Sequence, residues 1–355
     1  MKTEEFFVSN GRVSFSAIDY GCIITQINVP GKNGTKNIVY SLKNFDDYVK
    51  NPKYYGAIVG RVANRIKDAS FSLGGENFAL DKNENENCLH GGFNSYSDMH
   101  YSAKSYKTKE KSGIIFERLS PDGEQGFPGN LNIRIEYSLE NEKSIAHEND
   151  TNENITDENI KTFASNLDFV PNFYSIFSIE IIATTDKTTP VNIINHSYFN
   201  LAGFSDAKMA ESSVKNPSIE NQIIMLNADS VLEVDKQNLP TGKILSAKEC
   251  RSDLKTPISF GEAMKKRGKI FDTCFILNKN ATEDDAKIID NENMRAMLIK
   301  TNQKAAQLYT PETNDCFALE TQGYVDAVNH SEFPSILLKP VKKYTSKTQY
   351  ILFYS

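Results

Sequence analysis

The chain has 355 residues, with 40 Lys plus Arg against 46 Asp plus Glu, a net charge of −6. At 39% hydrophobic and 24% charged it has the make-up of a globular chain with ample material for a core, not of a disordered one. The mild acidity speaks against nucleic acid as the main partner, no apolar run approaches a membrane span, and Met1-Lys2-Thr3-Glu4-Glu5 is too acidic to open a secretory signal.

In chain order, the segment 12–29, rich in Ile, Val and Phe, predicts strand, and 43–50 offers a short helical window. Residues 69–80 predict a hairpin, with Phe71 and Leu73 entering a Gly74-Gly75 turn and Phe78 and Leu80 leaving it. Strand is predicted again at 113–119. Across 131–139, Leu131, Ile133, Ile135, Tyr137 and Leu139 fall on alternate positions, the period of a strand with one buried face. Residues 140–168 differ: their acids exceed Lys143 and Lys161 by six, as many as the net charge of the whole chain. Without an apolar period, this stretch predicts a solvated acidic surface loop. Further strands are predicted at 174–184, 190–195, 295–300 and 335–353, and a second short helix at 259–267. So many strands and so few helices predict an all-β chain, a large antiparallel β-sandwich or barrel. One domain would span 1–355, with the acidic loop as an insertion at about 140–168.

Cys22, Cys88, Cys250, Cys274 and Cys316 are odd in number and widely spaced, which suits free thiols in a reducing compartment and makes the cytoplasm the default. Matches to Asn-x-Ser/Thr such as Asn33-Gly34-Thr35 carry little weight in so Asn-rich a chain. Gly-x-Gly-x-x-Gly, Walker, His-Glu-x-x-His, paired-cysteine and Gly-x-Ser-x-Gly patterns are all missing, so nothing points to a nucleotide cofactor, a zinc ion or a serine nucleophile. With no tryptophan, an aromatic platform for a ligand would rest on Phe and Tyr.

Four polar clusters interrupt strand-like sequence. Gly60-Arg61-Val62-Ala63-Asn64-Arg65-Ile66 sets two arginines four apart, either as structural pairs or, in a turn, with Asn64 and Arg65 converging on a ligand. Asn87-Cys88-Leu89-His90-Gly91-Gly92 is a hairpin turn or a backbone close to a ligand. Asn195-His196-Ser197-Tyr198-Phe199-Asn200-Leu201 puts a histidine at a strand end among hydrogen-bonding neighbours, a structural residue or a general acid. Leu319-Glu320-Thr321-Gln322 places an acid next to an apolar run, either solvated and paired or partly buried with a raised pKa.

Taken together, these residues resemble the aldose 1-epimerase (galactose mutarotase) family. The likeness runs nearly end to end through Asp19-Tyr20-Gly21, the stretch Tyr55 to Ile66, Leu89-His90-Gly91-Gly92, Ser120 to Asn130 and Asn195 to Leu201. It continues in Pro240-Thr241-Gly242, Phe271-Asp272, Leu319 to Gln322 with Asp326 to Asn329, and Phe333-Pro334-Ser335. The resemblance implies a galactose mutarotase-like antiparallel sandwich and interconversion of the α and β anomers of free hexoses such as galactose and glucose. By matched motif, His196 would be the general acid and Glu320 the general base. Asn64, Arg65, His90, Tyr198, Asp272 and Gln307 would hold sugar hydroxyls, with Arg61 bracing the site through an acid and Ser197 or Asn195 orienting His196. The chemistry asks for a carboxylate ionised at neutral pH and a histidine whose pKa is held up by nearby carboxylates. It needs no metal and no cofactor, and its partner is the hexose itself, met by a monomer or homodimer with no role for nucleic acid or membrane.

The chain departs from the family pattern in five places: the longer 140–168 segment, Pro311 to Asp315 in place of a longer Gly-rich loop, Tyr324-Val325 for an aromatic-Pro pair, Val341 after Pro340 where Gly is usual, and Phe93-Asn94-Ser95-Tyr96 after Gly91-Gly92 without the customary downstream tryptophan. Alternatives are a hexose-6-phosphate mutarotase, which needs an arginine-rich phosphate clamp, and a non-catalytic sugar-binding or regulatory protein on the same fold. A glycosidase would need two facing carboxyl groups.

Overall fold

Residues two apart share a face of a strand, and Leu131, Ile133, Ile135, Tyr137 and Leu139 are accordingly all at most 3% exposed. The computed structural model describes residues 3–145, 158–204, 215–279 and 284–355, and strands account for 44% of the chain against 9% for helices. Leu131–Glu140 is the third strand of a large sheet. Its order is Ser102–Lys107, Lys111–Ser120, Leu131–Glu140, Phe173–Thr185, Tyr344–Tyr354, Arg295–Thr301, Ala286–Asp290, Ile223–Leu226 and Ile258–Ser259, with Lys143–Ser144 beside Phe173–Thr185. A second sheet runs Tyr198–Phe199, Phe317–Gln322, Ala305–Tyr309, Asp272–Ile276, Ser230–Val234 and Pro240–Ser246. Pairing in both is antiparallel.

The two sheets meet in one apolar cluster that includes Ile135, Phe177 and Tyr350 from the first and Leu308, Phe317 and Leu319 from the second. A sheet of Glu5–Ser9, Ser14–Ile18, Ile24–Val29 and Lys36–Asn37 adds Phe15 and Ile27. This is the sandwich that the alternation predicts. The same period places the function: where Leu308 and Leu319 face the core, Gln307 and Glu320 face away from it, on the other side of the second sheet.

The hairpin forms as predicted, Ser70–Leu73 against Glu76–Ala79 with Leu73 opposite Glu76. Helices Phe45–Lys50 and Phe260–Arg267 fall inside the predicted windows. The predicted strand at 190–195 is instead two short pieces, Thr189–Pro190 and Ile194–Asn195, paired to Leu337–Leu338 and Ile58–Val59. The acidic segment is not loop throughout. Residues 146–157 lie outside the described residues, but Glu158–Ser165 is a helix. Its Ile160, Phe163 and Ala164, spaced i, i+3, i+4, pack against the outer face of the large sheet beside Ile351 and Phe353. Among the described residues no helix is long and apolar enough to cross a membrane, and all five cysteines are unpaired.

Candidate active site

The second sheet lines up three neighbours across three strands, with Cys274 opposite Gln307 and Gln307 opposite Glu320. Tyr198 pairs with Ala318 at the sheet edge, so two residues of chain carry it to His196. The His196 backbone is clamped on both sides, its N–H donating to Ala57 C=O at 2.8 Å and its C=O accepting from Gly56 N–H at 3.1 Å. Asn195 and Ser197 lock onto each other, Ser197 Oγ donating to Asn195 Oδ1 at 2.6 Å, while Asn195 Nδ2 donates to Gly56 C=O. They hold the chain on either side of His196 and make no bond to its ring, so their positioning acts through the backbone. The outcome is that His196 Nε2 and Glu320 Oε1 lie 3.4 Å apart, at 6% and 3% exposure.

A second arm comes from two short paired strands, Arg65–Ile66 and Cys88–Leu89. Asn64 C=O accepts from His90 N–H at 3.0 Å, and Asn64 N–H donates to His90 Nδ1 at 3.2 Å. Because Nδ1 accepts, the neutral ring carries its proton on Nε2. Burial and the charges of His196 and Arg65 hold His90 well below the usual histidine range, so neutral is its state. The next residue, Gly91, has φ +92, and a Cβ there would stand 2.1 Å from Gly60 C=O, so the turn admits only glycine. The ring of His90 lies 5.3 Å from that of His196 between centroids.

Arg65 is aimed by a residue the motifs did not single out. Glu84 accepts from its Nε and Nη2 at 2.7 Å each, a bidentate clamp. Glu84 sits in the run Lys82 to Asn87, where no apolar period marks it. Arg61 also differs from expectation: among the described residues no acid pairs with it. Its guanidinium donates to Pro128 C=O, Gly129 C=O, Thr189 Oγ1 and Ser120 Oγ, at 1% exposure. It braces the loop after Ser120.

Asp272 accepts from Gln307 Nε2 at 2.5 Å and from Asn238 Nδ2 at 3.2 Å. The short Pro311 to Asp315 connection therefore leaves Gln307 directly beside both Glu320 and Asp272. An aromatic wall stands alongside: the Tyr198 ring stacks on His196 at 5.0 Å, with Tyr55 at 4.9 Å and Tyr309 at 6.1 Å from Tyr198. Tyrosines thus supply the surface that the absent tryptophan would have supplied. All eight residues expected at a site, His196, Glu320, Asn64, Arg65, His90, Tyr198, Asp272 and Gln307, lie along this chain of contacts.

Electrostatics correct one expectation. Burial raises the Glu320 carboxyl from 4.5 to about 8, helped by the Asp272 charge and opposed by Arg65. Burial lowers His196 from 6.5 to about 4. The pair is thus shifted opposite to an ionised acid facing a charged histidine, because neither charge keeps its water. Between those values the two hold one proton together. Glu320 Oε2, His196 Nδ1 and Gln307 Oε1 are buried with no hydrogen-bond partner. Among the described residues no group of three or more His, Cys, Asp or Glu side chains is arranged to hold a metal ion.

The sequence model of the family described as aldose 1-epimerase matches residues 5–161 and 174–351. The galactose mutarotase of Bos taurus is 30% identical over 364 residues, covering 97% of this chain and 92% of that protein. The aldose 1-epimerase of Haemophilus influenzae is 27% identical over 342 residues, covering 91% and 86%. Among solved structures, the aldose epimerase homologue from C. elegans superposes with a TM-score of 0.79 at 20% identity, and galactose 1-epimerase from Lactobacillus acidophilus with 0.75 at 22%, each covering 100% of both chains. At those identities the structures speak to the fold.

Proposed function

The chain belongs to the aldose 1-epimerase family, and on that premise we propose that it is a mutarotase, interconverting the α and β anomers of free hexoses such as galactose and glucose. Glu320 is the general base and His196 the general acid. The observation that carries this reading is the 3.4 Å separation of two buried, oppositely shifted titratable groups sharing one proton.

Ring opening takes the C1 hydroxyl proton to Glu320 while His196 gives its proton to the ring oxygen. The pair begins as carboxylate and imidazolium and ends as carboxylic acid and imidazole, so its charge sum stays at zero. Burial favours the second state, the form in which the pair rests, so opening starts from the minor carboxylate–imidazolium tautomer. Ion-pair attraction and sugar hydroxyls donating to Glu320 Oε2 favour the first, so neither state is a trap. Rotation about C1–C2 turns the aldehyde over, and closure runs the two transfers in reverse. Each positioned proton-transfer group is worth about 10²–10⁴-fold. His90, through Nε2–H, joins Asn64, Arg65, Asp272 and Gln307 in holding hydroxyls, and Tyr198 backs an apolar sugar face.

A phosphorylated hexose would call for an arginine clamp. Here Arg65 is engaged by Glu84 and Arg61 by carbonyls and hydroxyls, which favours free sugars. Five unpaired cysteines suit a reducing, cytoplasmic setting, and a net charge of −6 gives no reason to invoke nucleic acid. The assembly is read as a monomer or homodimer, each copy carrying its own site.

Polarimetry tests the reading: freshly dissolved α-D-galactose and α-D-glucose are followed to equilibrium with and without the protein at neutral pH. Accelerated approach is expected with at least one. No acceleration by folded protein would overturn the activity and return a sugar-binding role.

A further inference from the structure

Beside the end of the strand that carries Glu320 lies a groove whose chemistry the sugar site does not use. It has a volume of about 400 Å³, and Lys304, Lys339, Lys342 and Lys343 line it with no Asp or Glu among the described lining residues. None of the four lysines has an ion-pair partner among the described residues. In a chain of net −6, four unneutralised cations around one cavity are a concentration of charge that repels itself. The turn from Lys339 to Lys342, closed by Lys342 N–H donating to Lys339 C=O at 3.2 Å, gathers three of them at one edge.

A second observation is independent of the lysines. Asn192, 1% exposed, also lines the groove. Its Oδ1 accepts from Gly323 N–H at 2.9 Å, while its Nδ2 is buried with no partner. An unmet buried donor is costly, and an acceptor seated in the groove relieves it once a small turn of the Asn192 side chain brings the amide to it.

We propose that this groove binds a small phosphorylated molecule carrying at least two negative charges. The lysine ammonium groups meet phosphoryl oxygens as point charges, and Asn192 Nδ2 donates to one of them. The volume falls within the range of small-molecule sites, and a flat acidic protein surface would not reach a side chain as buried as Asn192. This site is distinct from the sugar site and does not depend on the mutarotase reading.

The test is titration calorimetry on the intact protein at about 0.1 M salt, where exposed charge attraction is already screened, using pyrophosphate and, separately, glucose 6-phosphate. Mutarotation of α-D-galactose is measured on the same samples, so loss of one function is seen apart from the other. Saturable binding of pyrophosphate is expected; binding of glucose 6-phosphate as well supports a sugar phosphate, and pyrophosphate alone supports an inorganic or diphosphate ligand. The double variant Lys342→Ala/Lys343→Ala should weaken binding at least tenfold with mutarotation unchanged. Asn192→Asp, which keeps the acceptor for Gly323 N–H and removes the donor, should weaken it likewise. No saturable binding to the folded protein, undiminished binding in the double variant, or binding of an acidic peptide but of neither phosphate, each overturns the proposal.

Discussion

His196 Nε2 lies 3.4 Å from Glu320 Oε1 with both side chains almost wholly excluded from solvent. Two groups that close, one titrating at about 4 and the other at about 8, hold a single proton between them over that span. In the proposed mechanism turnover needs that one proton: without it there is no acid, and with two there is no base. The rate should therefore be bell-shaped in pH, with the acid limb near 4 and the alkaline limb near 8. A polarimetric series from pH 3 to 10 checks this (about one proton on each limb). A rate that keeps climbing through pH 9 would remove Glu320 as the group that must hold or return the proton.

Glu320→Gln separates the chemical role from the energetic one. The amide cannot take the proton, so turnover should fall by about 10²–10⁴-fold while sugar binding persists. Stability should move the other way. The folded carboxyl titrates at about 8 and the unfolded one near 4.5, so folded protein holds more protons between those values. The stability that this group contributes is therefore intact below about 4.5 and declines as pH rises toward about 8. The variant has no such decline, and its Tm should exceed the parent's by a few degrees at pH 8 and match it near pH 4.5. Equal Tm differences at the two pH values would count against a desolvated carboxyl. His196→Asn should lose turnover comparably.

The long strands were legible because each buries one face, as at Leu131 to Leu139, where the period shows in the letters themselves. The site is different. Its arms are two-residue strands, Ile58–Val59, Arg65–Ile66, Cys88–Leu89, Ile194–Asn195 and Tyr198–Phe199, too short for any period to register. His196 and Glu320 were found through motif likeness, whereas their shifted protonation depends on burial by segments far apart in sequence. The helix Glu158–Ser165 escaped because its three apolar anchors sit among polar residues in an acidic stretch. Arg61 looked like a partner for an acid and proved to be a hub for carbonyls, a distinction that lives wholly in tertiary contacts.

Glu84 is the positioning residue that the fold adds. Its bidentate grip fixes the Arg65 guanidinium plane, and removing it leaves Arg65 charged and free to swing. Glu84→Ala should raise KM for galactose by roughly tenfold, about 1.4 kcal/mol of lost orientation, with a smaller effect on kcat. Glu84→Gln, which keeps one acceptor, should fall between. Initial-rate polarimetry over a sugar concentration series reads the split. An unchanged KM in folded Glu84→Ala protein would mean that Arg65 needs no such clamp.

Gly91 and Gly74 make a matched pair for testing how the turn after His90 is held. Both have positive φ, +92 and +64, but a Cβ on Gly91 would meet Gly60 C=O at 2.1 Å whereas one on Gly74 meets nothing within 4 Å. Gly74→Ala therefore incurs the backbone term alone, about 1 kcal/mol. Gly91→Ala adds a backbone clash that no rotamer relieves, and its destabilisation should exceed 3 kcal/mol, approximately, by urea denaturation. Relief requires Gly60 and Gly91 to move apart. Since His90 immediately precedes Gly91 and is bonded to Asn64 at both its N–H and its ring, that movement drags with it two residues proposed to hold sugar hydroxyls. Gly91→Ala should accordingly lose most activity even at temperatures where it stays folded, while Gly74→Ala keeps the parent rate.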